Sequence, residues 1–161
     1  MKKLIYTLLI ITAFTNNSFS ASTGSDSSTG TSDYTKAYNL IKAAKKYEKK
    51  GKTEKAQKRY TKAQKLLLKS NEKKPLQANT LNYLGFTTRK LGDYKKGEDF
   101  YLQGLQIEPD HKGINEYLGE LYVVTNRIDL AKERLEILKS CNCEEYKQLK
   151  EIINGTRKSK Y

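Results

Sequence analysis

One spaced set of residues recurs three times along this chain. Ala44, Tyr47, Gly51, Ala56, Tyr60 and Ala63 are followed by Gly85, Thr88, Gly92, Gly97, Tyr101 and Gly104, then by Gly119, Tyr122, Asn126, Ala131, Leu135 and Leu138. Counted back to a common first position, the frames are 37–70, 78–111 and 112–145. A unit of this size cannot bury its own apolar face, so the copies must stack. Within each frame apolar residues fall at helical spacing on both sides of a turn residue. Tyr34, Ala37, Leu40, Ile41, Ala44 and Tyr47 precede Gly51, with Ala56, Tyr60, Ala63 and Leu67 beyond it. Gly51, Gly92 and Asn126 are residue types that enter left-handed backbone readily, as a helix end followed by a tight turn requires. The spacing predicts six helices in three hairpins.

Small residues at Ala44, Gly85 and Gly119, and again at Ala56, Gly97 and Ala131, let the two helices of a hairpin approach closely. Tyr60, Tyr101 and Leu135 are the bulky complements expected between hairpins. This period and these small residues resemble the tetratricopeptide repeat (TPR) family, although Leu138 departs from the small residue expected at that place of the third frame. The resemblance implies an all-α fold, three TPR hairpins in a short right-handed solenoid whose concave groove is lined by the first helix of each repeat. Carried onto this sequence, it implies a partner-binding groove of Lys45, Lys49, Asn79, Asn82, Phe86, Arg89, Lys90, Glu116 and Glu120. Phe86 either anchors a partner with Asn82 and Arg89 or packs on Val123 as core. The family's clamp for a C-terminal carboxylate is not implied, because its places carry Ile41, Lys45, Tyr83, Gly113 and Tyr117.

The ends read differently from the repeats. Met1-Lys2-Lys3, the apolar run Leu4 to Phe14 and the small residues Ser18 and Ser20 read as a signal peptide over 1–20, about half the length a membrane span needs. Residues 21–33 read as a Ser/Thr/Gly linker, 34–153 as the repeat domain and 154–161 as a basic tail. Asn71 to Gln77 are extra between the first two frames, so the second helix is expected to run on to about Lys73 before Pro75 stops it. Asn142, with Glu145 three places later, reads as the cap of a final helix over 143–153 that covers the last hairpin. The run from Cys143 to Leu149, Cys-Glu-Glu-Tyr-x-x-Leu, resembles the ends of small secreted bacterial TPR proteins.

The formal charge is +13, and residues 36–74 carry fifteen basic against three acidic side chains. Lys42, Lys46, Lys50, Lys55, Lys58, Arg59 and Lys62 form a basic patch that either solvates helix faces or attracts an anionic lipid or envelope polymer. Export would place that encounter outside the cytoplasm and count against nucleic acid. Cys141 and Cys143 are read as a bridge pinning the last helix, as free or intermolecular thiols, or as a metal or redox pair. Two Cys without a nearby His are too few for a closed zinc site, and His111 reads as a surface or cap residue. The sequence holds no nucleophile–His pair, phosphate-cradling loop or metal cluster, so neither an enzyme nor a cofactor is expected. The resulting expectation is a secreted or periplasmic adaptor that binds a protein or peptide partner along the groove, or docks by its basic first repeat.

Overall fold

The computed structural model describes residues 31–159. The signal-peptide reading of 1–20, the linker residues 21–30, and Lys160 and Tyr161 of the tail lie outside the described residues. Among the described residues the chain forms α1 (Asp33–Glu48), α2 (Thr53–Lys73), α3 (Ala78–Lys90), α4 (Tyr94–Ile107), α5 (Lys112–Val124), α6 (Ile128–Leu138) and α7 (Glu144–Ile153), with a 3-10 turn over Lys139–Cys141. Helices α1 and α2, α3 and α4, and α5 and α6 pair as hairpins; α2 packs on α3, α4 on α5, and α7 covers α5 and α6. The architecture is an all-α helical-repeat solenoid of three hairpins and a capping helix.

Each hairpin turns in the same way. Gly51, Gly92 and Asn126 have φ of 68°, 99° and 59°. In each case the next residue's N–H donates to a carbonyl five residues back: Lys52 to Tyr47 (2.9 Å), Asp93 to Thr88 (3.1 Å) and Arg127 to Tyr122 (2.7 Å). This satisfies a helix-end carbonyl and reverses the chain in one step. The starts of α1, α4 and α5 are fixed by side chains: the Ser32 hydroxyl accepts from Thr35 N–H (3.1 Å), Asp93 from Lys96 N–H (3.0 Å) and His111 Nδ1 from Ile114 N–H (3.1 Å). His111 is therefore a helix cap.

Helix α2 continues to Lys73, whose ammonium meets Asp33 at 2.9 Å, so the long helix ties back to the start of α1. The link to α3 passes through Pro75 and Leu76, the latter in left-handed backbone (φ 57°) with its side chain exposed, a feature the sequence does not announce. At the other end, α7 starts at Glu144, not at 143, and Asn142 is not its cap. Cys141 and Cys143 are joined across Asn142, their Cα atoms 5.2 Å apart, and Asn142 bends into the left-handed region (φ 45°). That bend leaves Cys143 at the N-cap position, with no side-chain hydrogen bond. The end of the third frame accordingly falls inside α7.

The second hairpin crosses closely at two glycines. A Cβ on Gly85 would overlap ring carbons of Tyr101, and one on Gly97 would lie 2.6 Å from Cγ of Arg89. Tyr60 and Tyr101 are fully buried as expected of the inter-hairpin complements, whereas Leu135 is only half-buried. Between the second and third hairpins Arg127 forms a two-pronged ion pair with Glu98 (2.9 and 2.7 Å) and stacks on Tyr122. Alanine at Gly85 gains helix propensity, but the Tyr101 ring has nowhere to move, so Gly85→Ala should cost about 1–3 kcal/mol. A urea midpoint equal to or above the wild type's would contradict this. The bridged pair predicts an unreduced intact mass two hydrogens below that of the reduced protein, with no thiol titrating before reductant is added. Two thiols titrating at the outset would contradict it.

Candidate functional site

The first helices of the hairpins share one face, and a row of aromatic rings crosses it. Ring centroids run from Tyr60 on α2, behind this face, to Phe86 on α3 (5.7 Å) and on to Tyr117 on α5 (5.1 Å), while Tyr34 and Tyr38 on α1 meet Tyr83 on α3 (6.1 and 5.4 Å). Lys45 on α1 reaches α5 directly: its ammonium lies 4.3 Å from the Phe86 centroid and donates to the Tyr117 hydroxyl at 3.1 Å. The concave side is thus curled tightly enough for the first and third hairpins to touch.

This closure decides where the expected groove residues stand. Lys49 and Asn79 are exposed and Lys45 is half-buried, but Asn82, Phe86, Arg89, Glu116 and Glu120 are all buried. Phe86, 1% exposed, is a core residue and not a surface anchor, and its ring neighbours are Tyr60 and Tyr117. Arg89 does not project into an open groove: it donates to the Tyr117 carbonyl across α3 and α5. Lys90 pairs with Glu48 at 2.6 Å, and Glu48 also accepts from the Tyr60 hydroxyl at 2.8 Å. Burial pushes the phenols of Tyr60, Tyr83, Tyr101 and Tyr117 far above their ordinary range, so they act as neutral hydroxyls.

One opening on this face is a cleft of about 470 Å³ between the first halves of α3 and α5. Asn79, Asn82, Tyr83, Gly113, Glu116 and Tyr117 line it, with Glu108, Asp110, His111, Lys112 and Glu145 at its edge. Gly113 permits this arrangement, since a Cβ there would lie 2.9 Å from Asn82 Nδ2. His111 Nδ1 is occupied by the cap, which leaves the Nε2–H tautomer to donate to Asn79 Oδ1 at 3.1 Å. Asn82 is 4% exposed, and its carboxamide oxygen has no hydrogen-bond partner among the described residues. Leaving such a group unpaired costs about 1–3 kcal/mol. Tyr83 and Tyr117 are absent from the groove set implied by resemblance. Their aromatic character was the available signal.

The basic patch divides. Lys55, Lys58, Arg59 and Lys62 of α2 gather with Tyr47 around a depression of about 180 Å³, whereas Lys42, Lys46 and Lys50 lie along and just beyond α1 and line no part of it. Arg59 donates to the Tyr47 hydroxyl at 3.4 Å and holds that phenol below its ordinary range. Among the described residues, no group of three or more His, Cys, Asp and Glu could hold a metal ion, and no helix is long and apolar enough to cross a membrane.

No family model matches the chain. Over 73 residues it is 40% identical to the Sol locus transcriptional repressor of Clostridium acetobutylicum. That stretch takes in 43% of this chain and 23% of the relative, so the match spans under a quarter of the relative's length. Among solved structures, the first TPR of Spaghetti (RPAP3) bound to the HSP90 peptide SRMEEVD covers 78% of this chain and 95% of its own, at 19% identity and a TM-score of 0.49.

Proposed function

We propose that this chain is a binding module, not an enzyme, and that it takes an extended segment of a protein partner in the cleft between α3 and α5. The observation that carries the reading is Asn82, a buried carboxamide lining the cleft with its oxygen unpartnered among the described residues. An extended peptide offers a backbone N–H and C=O at regular intervals, and a carboxamide can bond both. Tyr83 and Tyr117 supply rigid aromatic walls beside it. We place the module in a bacterial cell envelope as an adaptor. The charged start and apolar run at the N-terminus support export, and a Cys141–Cys143 bridge suits an oxidising compartment.

Panning a random dodecapeptide phage library against the full chain tests the cleft. Selected peptides should bind Asn82→Leu about tenfold more weakly or worse than the wild type, the variant keeping its helical content by circular dichroism. Equal binding to the variant would place the site elsewhere.

A second reading is favoured by the depression at Tyr47, Lys55, Lys58, Arg59 and Lys62, where four cations converge on one face. It has the first hairpin docking on an anionic lipid or envelope polymer surface, in addition to or in place of a peptide. Association with anionic vesicles that disappears as salt is raised, and that is lost in Lys55→Glu/Lys58→Glu/Lys62→Glu, would support it. Vesicle binding unchanged by that reversal would remove it.

A further inference from the structure

The turn that ends α7 carries a basic segment back to the first hairpin. Gly155 has φ 73°, and the Thr156 N–H donates to the Glu151 carbonyl at 3.0 Å, the bond pattern that closes each hairpin turn. Arg157 then holds the Glu151 carboxylate at 3.1 Å, and the Ser159 hydroxyl lies 3.5 Å from a carboxylate oxygen of Glu120 on α5. Between this segment and the last turns of α1 is a cavity of about 750 Å³, larger than the cleft at Asn82. Its walls are Lys45, Lys49, Arg157 and Lys158, with Glu48 and Phe86.

Four of these six side chains are cations, of which Arg157 also pairs with Glu151 and Lys45 donates to the Tyr117 hydroxyl, and the single carboxylate, Glu48, pairs with Lys90 and accepts from Tyr60. Lysine stems and the Phe86 ring give the walls an apolar body beneath charged heads. Charges gathered around one cavity act together, since the screening length at physiological salt is roughly 8 Å. Phe86 stands one helical turn beyond Asn82 on α3, so the cavity continues the face that carries the cleft.

We propose that Arg157 and Lys158 complete, with Lys45 and Lys49, a receiving site for an acidic stretch of the partner peptide. This rests on the reading of the groove as a peptide site and adds the partner's charge and the role of the C-terminal segment. The charge of the neighbouring cleft favours a peptide over a polyanion. Glu108, Asp110, Glu116 and Glu145 outnumber Lys112 there, so a uniformly charged strand spanning both would gain at one end and be repelled at the other. A peptide acidic at one end only keeps the gain and avoids the repulsion.

The test compares peptides selected on the full chain with their binding to two variants by fluorescence anisotropy. One is Lys49→Glu/Lys158→Glu, which alters two exposed side chains; the other ends at Gly155, two residues beyond the last residue of α7. Selected sequences should be enriched in Asp and Glu over the unselected library. They should bind both variants about tenfold more weakly, and panning on the charge-reversed variant should remove the acidic preference. Peptides that depend on Asn82 yet bind both variants as they bind the wild type would overturn this inference and leave the groove reading standing. Peptides indifferent to Asn82 would remove both. A fluorescein-labelled oligonucleotide or anionic vesicles that displace the peptide, and lose binding in the same two variants, would overturn the acidic-peptide assignment in favour of that polyanion.

Discussion

Everything about the concave face depends on how closely α3 and α4 approach. Gly85 leaves room for the Tyr101 ring, and Gly97 leaves room for the stem of Arg89. Both large side chains are thereby drawn wholly inside the molecule. From there Arg89 reaches the backbone of α5 at Tyr117, and Tyr117 in turn meets Phe86 and Lys45. A wider crossing would give Tyr101 a new position and release the contact that brings the third hairpin against the first. The glycines are therefore as much a part of the site as the residues that line it.

The hairpins were legible because their cause is local and repeats. Gly51, Gly92 and Asn126 recur at one place in the frame, and each sits in left-handed backbone where a helix must end. The run of α2 to Lys73 was legible for a similar reason, since seven residues add two turns and Pro75 bars a third. The site was less legible. Asn82, Phe86, Arg89, Glu116 and Glu120 were placed by a pattern that assumes an open groove, and whether a groove is open depends on the superhelix as a whole. Here Lys45 meets Tyr117 across 72 residues of sequence, a contact no window of local spacing contains. Asn142 failed as a cap because the joined cysteines on either side of it set its backbone. The return of the C-terminal segment has no counterpart in the spacing of the repeats, although the turn at Gly155 repeats that of the hairpins.

Charge is arranged across this face on a finer scale than along the sequence. The excess of lysine in the first repeat suggested a molecule basic at one end and neutral at the other. In the folded chain Arg157 and Lys158 join Lys45 and Lys49 around one cavity, while Glu108, Asp110, Glu116 and Glu145 surround the next. Neighbouring sites of opposite sign select for order in a ligand, because reversing the ligand sets like charges against each other. Fold alone does not confer such selectivity; the side chains on these two stretches do.

Whether a partner segment lies along α3 and α5, as proposed, is tested most directly by backbone amide chemical-shift mapping with a selected peptide. A segment seated there perturbs Asn79 to Tyr83 and Gly113 to Tyr117 and leaves α2, α4 and α6 little changed. Shifts confined to those second helices, with the cleft silent, would contradict it.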